Sequence, residues 1–467
     1  MPDIDFAALT ASEIARLVGS RTVSPVEVVQ AALARVERLN PTLNAVVTLN
    51  EHALDEARVL ESELQAGAVP GVLCGVPVGI KDVTPTAGLR TTYGSPIYAD
   101  HVPDEDALVV QRLRAAGAIV LGKTNTPEFA AGGNTFNEVF GRTGNPRNPD
   151  LSAGGSTGGG AAAAASGMIA IAEGTDLGGS LRIPASFCGI VGIRPSPGLV
   201  PTYPTRWLWD DLSVTGPMAR TAGDVALALS VMAGPDSRLP LSFSIAERDF
   251  LDPISKFPLE GLRVGYCADL AGVGIAPDIE ETCRAAALAL EDRGVSVGLS
   301  ELDLTDLRKA FLHLRGVWMV THMQHLIGRI DELGPIVRGN LEAGLSVTSE
   351  EVAWAHDVRG RIWTVFERFF ADHDFLLTPT MAVSPFPVDR DYPASVAGRP
   401  MKTYVDWIAP TFVLSLTGLP VASVPCGVDA MGLPVGLQVV GPPRSEERVL
   451  GLCSRIQEGS GFGGVVG

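Results

Sequence analysis

Short apolar runs closed off by glycine and proline alternate with helically spaced segments, and this alternation leaves the chain few folds to choose from. "GVPVGIKDV" (75–83) and "GAIVLGKTN" (117–125) have the texture of buried strands. Between them, "EDALVVQRLRAAG" (105–117) has helical spacing. Strand, helix, strand in this order predicts an α/β sheet with helices on its faces. Upstream, "LTASEIARLV" and "SPVEVVQAALARVERLN" each begin with a hydroxyl residue followed three positions later by glutamate, at Thr10/Glu13 and Ser24/Glu27. That is a capping-box pattern and predicts two helix starts. "LNEHALDEARVLESELQAG" (49–67) reads as a third helix. Strand texture returns at "GLRVGYC" (261–267), "DFLLTPTM", "LPVASVPCGV" and "PVGLQVVG". Residues 240–350 carry less glycine and more helical pattern, as an insertion or helical layer would.

Charge and cysteine usage exclude several functions. The 467 residues hold 53 acidic and 36 basic side chains, a formal net charge of −17. Such a polyanion is a poor partner for nucleic acid or an anionic membrane. "MPDIDF" lacks the features of a secretory leader, and "AAAAASGMIAIA" (161–172) is too short to span a bilayer. The six cysteines, Cys74, Cys188, Cys267, Cys283, Cys426 and Cys453, form no CxxC and sit among apolar or small residues. Free thiols in a reducing compartment, and hence a cytoplasmic protein, are expected.

Two motif matches fail on context. "GAIVLGKT" (117–124) satisfies GxxxxGK[ST], but its middle residues read as a strand rather than a phosphate-cradling turn. "GGSTG" (154–158) satisfies GxSxG, but loop rather than strand precedes it. Five histidines lie downstream of it, so a His-dependent α/β-hydrolase-like esterase stays open at this point. His322 and His325 share a helix face without HExxH context and read as ordinary helix residues. No metal site and no cofactor are expected.

Two glycine-wrapped serines remain, Ser156 in "GGSTGGG" (154–160) and Ser180 in "GTDLGGSLR" (174–182), 24 positions apart. Thr157 and the alanines after it suit a helix start, with Thr157 helping to cap. Successive glycine amides ahead of a helix at "PASFCG" make a concave set of N–H donors suited to an anionic oxygen. Lys81, one of only five lysines, sits on a strand face shared with Pro77 and Gly79, while Val76, Val78 and Ile80 face the other way. It either snorkels out at the strand end or is a buried amine with a depressed pKa.

The residues "GVPVGIKDV", "GGSTGGG", the alanine run and "GTDLGGSLRIP", in this order and spacing, resemble the amidase signature family of Ser–cis-Ser–Lys hydrolases. The resemblance extends from the N-terminal helices to "GLPVASVPCGVDAMGLPVGLQVVG" and is weakest around 240–350. It implies the amidase signature fold, a central mixed β-sheet covered on both faces by α-helices, in a single domain over 1–467. Within that domain it implies N-terminal helices at about 7–67, a catalytic core at about 71–235, a more variable helical layer at about 240–350, and C-terminal strands and helices at about 360–457. By the same resemblance Ser180 is the nucleophile, Ser156 the bridging serine with a cis peptide, and Lys81 the base. Backbone N–H groups of Leu177, Gly178, Gly179 and Ser180 hold the oxyanion. Asp176 and Arg182 support the site or merely the fold, and Thr157 stands where a second serine is usual. The loop "EFAAGGN" (Phe129, Ala130, Ala131, Gly132) approaches the substrate. Tyr203, Trp207 and Trp209 of "PTYPTRWLW" either line a pocket or pack in the core. The implied partners are water and a small amide or carbamate, with anilides and esters included, and a homodimer is an open assembly. Membership of a tRNA-dependent amidotransferase complex is the alternative within the family.

Overall fold

The computed structural model describes residues 5–466. Eleven strands form one sheet: β1 (Val46–Leu49), β2 (Pro77–Lys81), β3 (Ile119–Thr124), β4 (Ile171–Asp176), β5 (Val191–Arg194), β6 (Val214–Ala219), β7 (Arg263–Tyr266), β8 (Ser296–Leu299), β9 (Phe375–Pro379), β10 (Val421–Val428) and β11 (Pro434–Val440). Their spatial order is β1-β3-β2-β4-β6-β5-β10-β11-β9-β7-β8. The sheet is mixed. β3, β2 and β4 run parallel, as do β9, β7 and β8, and the strands between are antiparallel.

Alternation along the strands loads both faces. Val76, Val78, Ile80 and Val120 join one core with helices Ala11–Gly19, Leu108–Ala115, Ala222–Met232 and Glu446–Gln457. Ile119, Leu121 and Ala172 join another with helices Pro25–Leu43, Gly158–Ala165 and Arg182–Cys188. The fold is therefore the expected α/β arrangement with helices on both faces. Both capping boxes form, at Thr10/Glu13 and Ser24/Glu27. The third helix is shorter than expected, Ala53–Gln65, because Leu49 ends an edge strand paired to β3. Residues 117–124 do contain a strand, so no phosphate-cradling turn exists there.

Every residue of the helix Gly158–Ala165 is buried. A methyl group at Gly159 would lie 2.3 Å from the main-chain nitrogen of Asn125 and 2.6 Å from the carbonyl of Ala45. Only glycine lets the helix come this close to the neighbouring chain. Thr157 precedes this helix but makes no side-chain cap; its hydroxyl lies 3.5 Å from the carbonyl of Thr175 instead. The six cysteines form no disulfide. No helix among the described residues is long and apolar enough to cross a membrane. The expected strand at 261–267 forms as β7, and β8 is a further strand within the 240–350 segment.

Candidate active site

β2 ends at Lys81, and its side chain leaves the strand toward the turn before helix Gly158–Ala165. Lys81 Nζ lies 2.7 Å from Ser156 Oγ and 2.9 Å from Thr175 Oγ1, and the whole residue is enclosed at 0% exposure. The peptide Gly155–Ser156 is cis. Burial brings the Lys81 amine down to about 7, against the opposing pull of Glu173 and Asp176. The snorkelling alternative is thereby excluded. Asp82 points away from the amine and accepts hydrogen bonds from the main chain and hydroxyl of Thr92. A carboxyl does approach Lys81, however: Glu173 accepts the Lys81 main-chain N–H at 3.1 Å.

The loop after β4 carries Ser180 at partial exposure, in the same small cleft as Ser156. Asp176 organises that loop from beneath. Its carboxylate accepts the N–H of Gly179 at 2.9 Å and of Leu181 at 3.2 Å, and pairs with Arg182 at 3.0 Å. Burial alone would raise the Asp176 carboxyl, but Arg182 and Arg194 hold it well below the usual carboxylate range. The Gly179 amide is therefore committed to Asp176 and is not available to an oxyanion, a correction to the four-amide set. The amides of Leu177, Gly178 and Ser180 have no protein acceptor among the described residues. Gly179 adopts φ +118°, and a methyl group there would sit 2.2 Å from Thr411 Oγ1, so glycine is required on both counts. Arg194, which sequence reading missed, bonds the main-chain carbonyl and carboxylate of Asp176 from β5. No local spacing announces it, because 18 residues separate the partners.

The cleft holding Ser156 and Ser180 has a volume of about 60 Å³ and adjoins a chamber of about 530 Å³. Phe129, Ala130, Thr175, Ser213, Trp318 and Met319 belong to the walls of both. The expected loop residues Phe129, Ala130, Ala131 and Gly132 all reach the cleft. Of the three tryptophan and tyrosine candidates, Trp207 alone lines the chamber. The Tyr203 ring lies under the Arg238 guanidinium at 4.0 Å, and Trp209 is 63% exposed outside both cavities. Trp318 and His322 come from helix Leu307–Met323, inside the segment where the resemblance is weakest. Asp210 accepts the Trp318 indole N–H at 2.7 Å, and His322 Nε2 lies 3.3 Å from the same carboxylate oxygen. His325 meets the hydroxyl of Tyr98 at 3.0 Å. No histidine lines the cleft that holds the two serines.

With this geometry in view, the family model Amidase matches residues 27–450. The chain belongs to the amidase signature family. It is 35% identical over 459 residues to a Rhodococcus erythropolis protein named Acylamidase, covering 96% of this chain and 95% of that one. It is 34% identical over 466 residues to a glutamyl-tRNA(Gln) amidotransferase chain of Alkaliphilus metalliredigens (strain QYMF), covering 93% of each. Among solved structures, a bacterial aryl acylamidase of the amidase signature enzymes superposes with a TM-score of 0.90 at 29% identity, covering 96% of each chain. This amidase signature chain is accordingly an amide hydrolase.

Proposed function

We propose that the protein cleaves the C–N bond of small aryl or hydrophobic amides through an acyl-enzyme on Ser180. The observation that carries the chemistry is the enclosed Lys81 amine, 2.7 Å from Ser156 Oγ and brought near neutrality by burial. A neutral amine takes the Ser156 proton while Ser156 takes that of Ser180, whose oxygen attacks the carbonyl carbon. The free amides of Leu177, Gly178 and Ser180 are the donors available to the developing oxyanion. Ser156 then returns its proton to the departing nitrogen, and water releases the acyl group. Asp176, Arg182 and Arg194 hold the donor loop in shape.

The chamber supports an aryl or large apolar substituent, with Tyr93, Phe129, Trp207 and Trp318 in its walls. Anilides, carbamates and esters share the carbonyl chemistry and belong to the same reading. A glutamine-hydrolysing component of an amidotransferase is the second reading, favoured by the 34% identity to such a chain. A panel of anilides, aliphatic amides, carbamates, esters and glutamine, read by mass spectrometry, separates the two. Turnover of anilides well above glutamine is expected; glutamine as the preferred donor would reverse the assignment.

A further inference from the structure

Behind Lys81 lies a second set of buried ionisable groups. Asp82, Lys123 and Glu173 are all at 0% exposure. Register pairs Ile80 with Lys123, and Glu173 follows the Gly79–Ala172 pairing by one residue. Both therefore fall beside Ile80, away from the Lys81 side chain. Lys123 Nζ bonds the carbonyl of Thr84 and, at 2.7 Å, Thr86 Oγ1. Neither Lys123 nor Glu173 is in an ion pair within 4.0 Å among the described residues.

The two buried carboxyls have different surroundings. Asp82 meets the N–H and hydroxyl of Thr92, with Lys123 nearby, a donor set suited to an anion. Glu173 meets one N–H, that of Lys81, on Oε2, and one hydroxyl, that of Thr84, 3.0 Å from Oε1. A hydroxyl accepts as readily as it donates. A protonated carboxyl fits the same heavy-atom positions: Oε1–H donates to Thr84 Oγ1, whose own hydrogen rotates aside, while Oε2 accepts from Lys81.

We infer that Glu173 is a neutral carboxylic acid in the working enzyme and positions Lys81 through its main-chain N–H without lending it charge. Lys81 and Glu173 are then both uncharged, while Lys123, brought down to about 8 by burial, and Asp82, raised by burial, each oppose the other's shift. Burial pushes Glu173 above the ordinary carboxylate value, in the direction this arrangement needs. The groups around Glu173 are the main chain and amine of Lys81, the Thr84 hydroxyl and the Lys123 amine, which is itself near Asp82 and Asp106; β6 places Pro217 opposite. An ionised Glu173 would keep the Lys81 proton on and oppose its use as a base. The inference rests on the catalytic reading of Lys81.

Infrared spectroscopy of the full chain carrying ¹³C-carboxyl glutamate tests it at pH 8. The expected result is one protonated-carboxyl band that disappears in Glu173→Gln. Burial also raises Glu128, so the band is assigned by its loss in Glu173→Gln and its persistence in Glu128→Gln; Glu446 pairs with Arg248. Absence of the band from the parent enzyme overturns the inference, and it does so even where the variant does not fold. In kinetics, Glu173→Gln preserves both hydrogen bonds. The acid limb of kcat/KM should move by less than about 0.3 pH, whereas loss of an ionised neighbour would move it down by about a unit or more. Glu173→Leu removes the acceptor and should lower kcat about tenfold or more at unchanged KM. A Lys81→Arg enzyme that retained turnover would sink the catalytic reading while leaving the infrared band where it is.

Discussion

Lys81 is fully enclosed, and in the proposed mechanism its protonation state governs what the neighbouring serines can do. With the amine at about 7, kcat/KM should rise with pH on a single limb with its midpoint near that value and fall on the acid side as Lys81 becomes an ammonium. Lys81→Arg should abolish the limb and most of the rate, since guanidinium stays charged. Rate measurements from pH 5 to 9, with folding checked at each point, decide this; an active arginine variant shows that position 81 supplies charge alone. Ser180→Ala should lose turnover and labelling by a fluorophosphonate while keeping its fold. Labelling on Ser156 in the parent would exchange the two serine roles. Lys81, Ser156 and Ser180 stand out in local patterns, because each sits in a short run whose glycines and apolar neighbours are contiguous, but their proposed roles come from the family resemblance. Glu173 and Arg194 do not stand out. Glu173 reaches Lys81 across 92 residues of chain, and β5 delivers Arg194 to Asp176 only once the sheet has formed.

At the level of elements, the donor loop and the chamber walls make separate predictions. Arg182 is enclosed among Asp176, Gln438, Ser415 and the carbonyl of Thr411. Arg182→Leu leaves the Asp176 carboxylate without its main partner and should cost about 3–5 kcal/mol, measurable by chemical denaturation. A loss within experimental error would mean that Arg194 alone carries Asp176. Trp207→Ala should shift preference from aryl toward small aliphatic amides, and Trp209→Ala should change nothing, because its ring lies outside both cavities. Equal losses across the substrate panel for Trp207→Ala would place that ring in the core instead. The capping boxes at Thr10 and Ser24 and the two-residue alternation over 76–81 were readable, since each is a local rule acting on adjacent residues. β1 was not. Its four residues pair only with β3, and the helical pattern starting at Leu49 overlaps its end. Thr157 had the chemistry of a cap, but its hydroxyl turns toward Thr175.

For the molecule as a whole, the buried amine carries a stability cost that depends on pH. The folded state releases the Lys81 proton near pH 7 and the unfolded chain near 10.5, so between these values the unfolded state binds more protons and stability rises with pH. Below pH 7 both states hold the proton and the penalty is fully present. Lys81→Met should therefore stabilise the protein at pH 6, and its advantage over the parent should shrink by roughly 2–3 kcal/mol on going to pH 9. Calorimetry of both proteins at the two values tests this; an advantage independent of pH would mean that the lysine does not titrate in that window. The same overall architecture divides its labour along the chain. Lys81, Ser156 and Ser180 lie within the first two hundred residues, whereas Trp318 and His322 arrive on a helix more than a hundred residues later. Mutations on that later helix can reshape the chamber without replacing Lys81, Ser156 or Ser180, the residues proposed for the chemistry. An ancestor built on this plan could acquire a new diet by drift in that stretch while keeping its proposed catalytic residues.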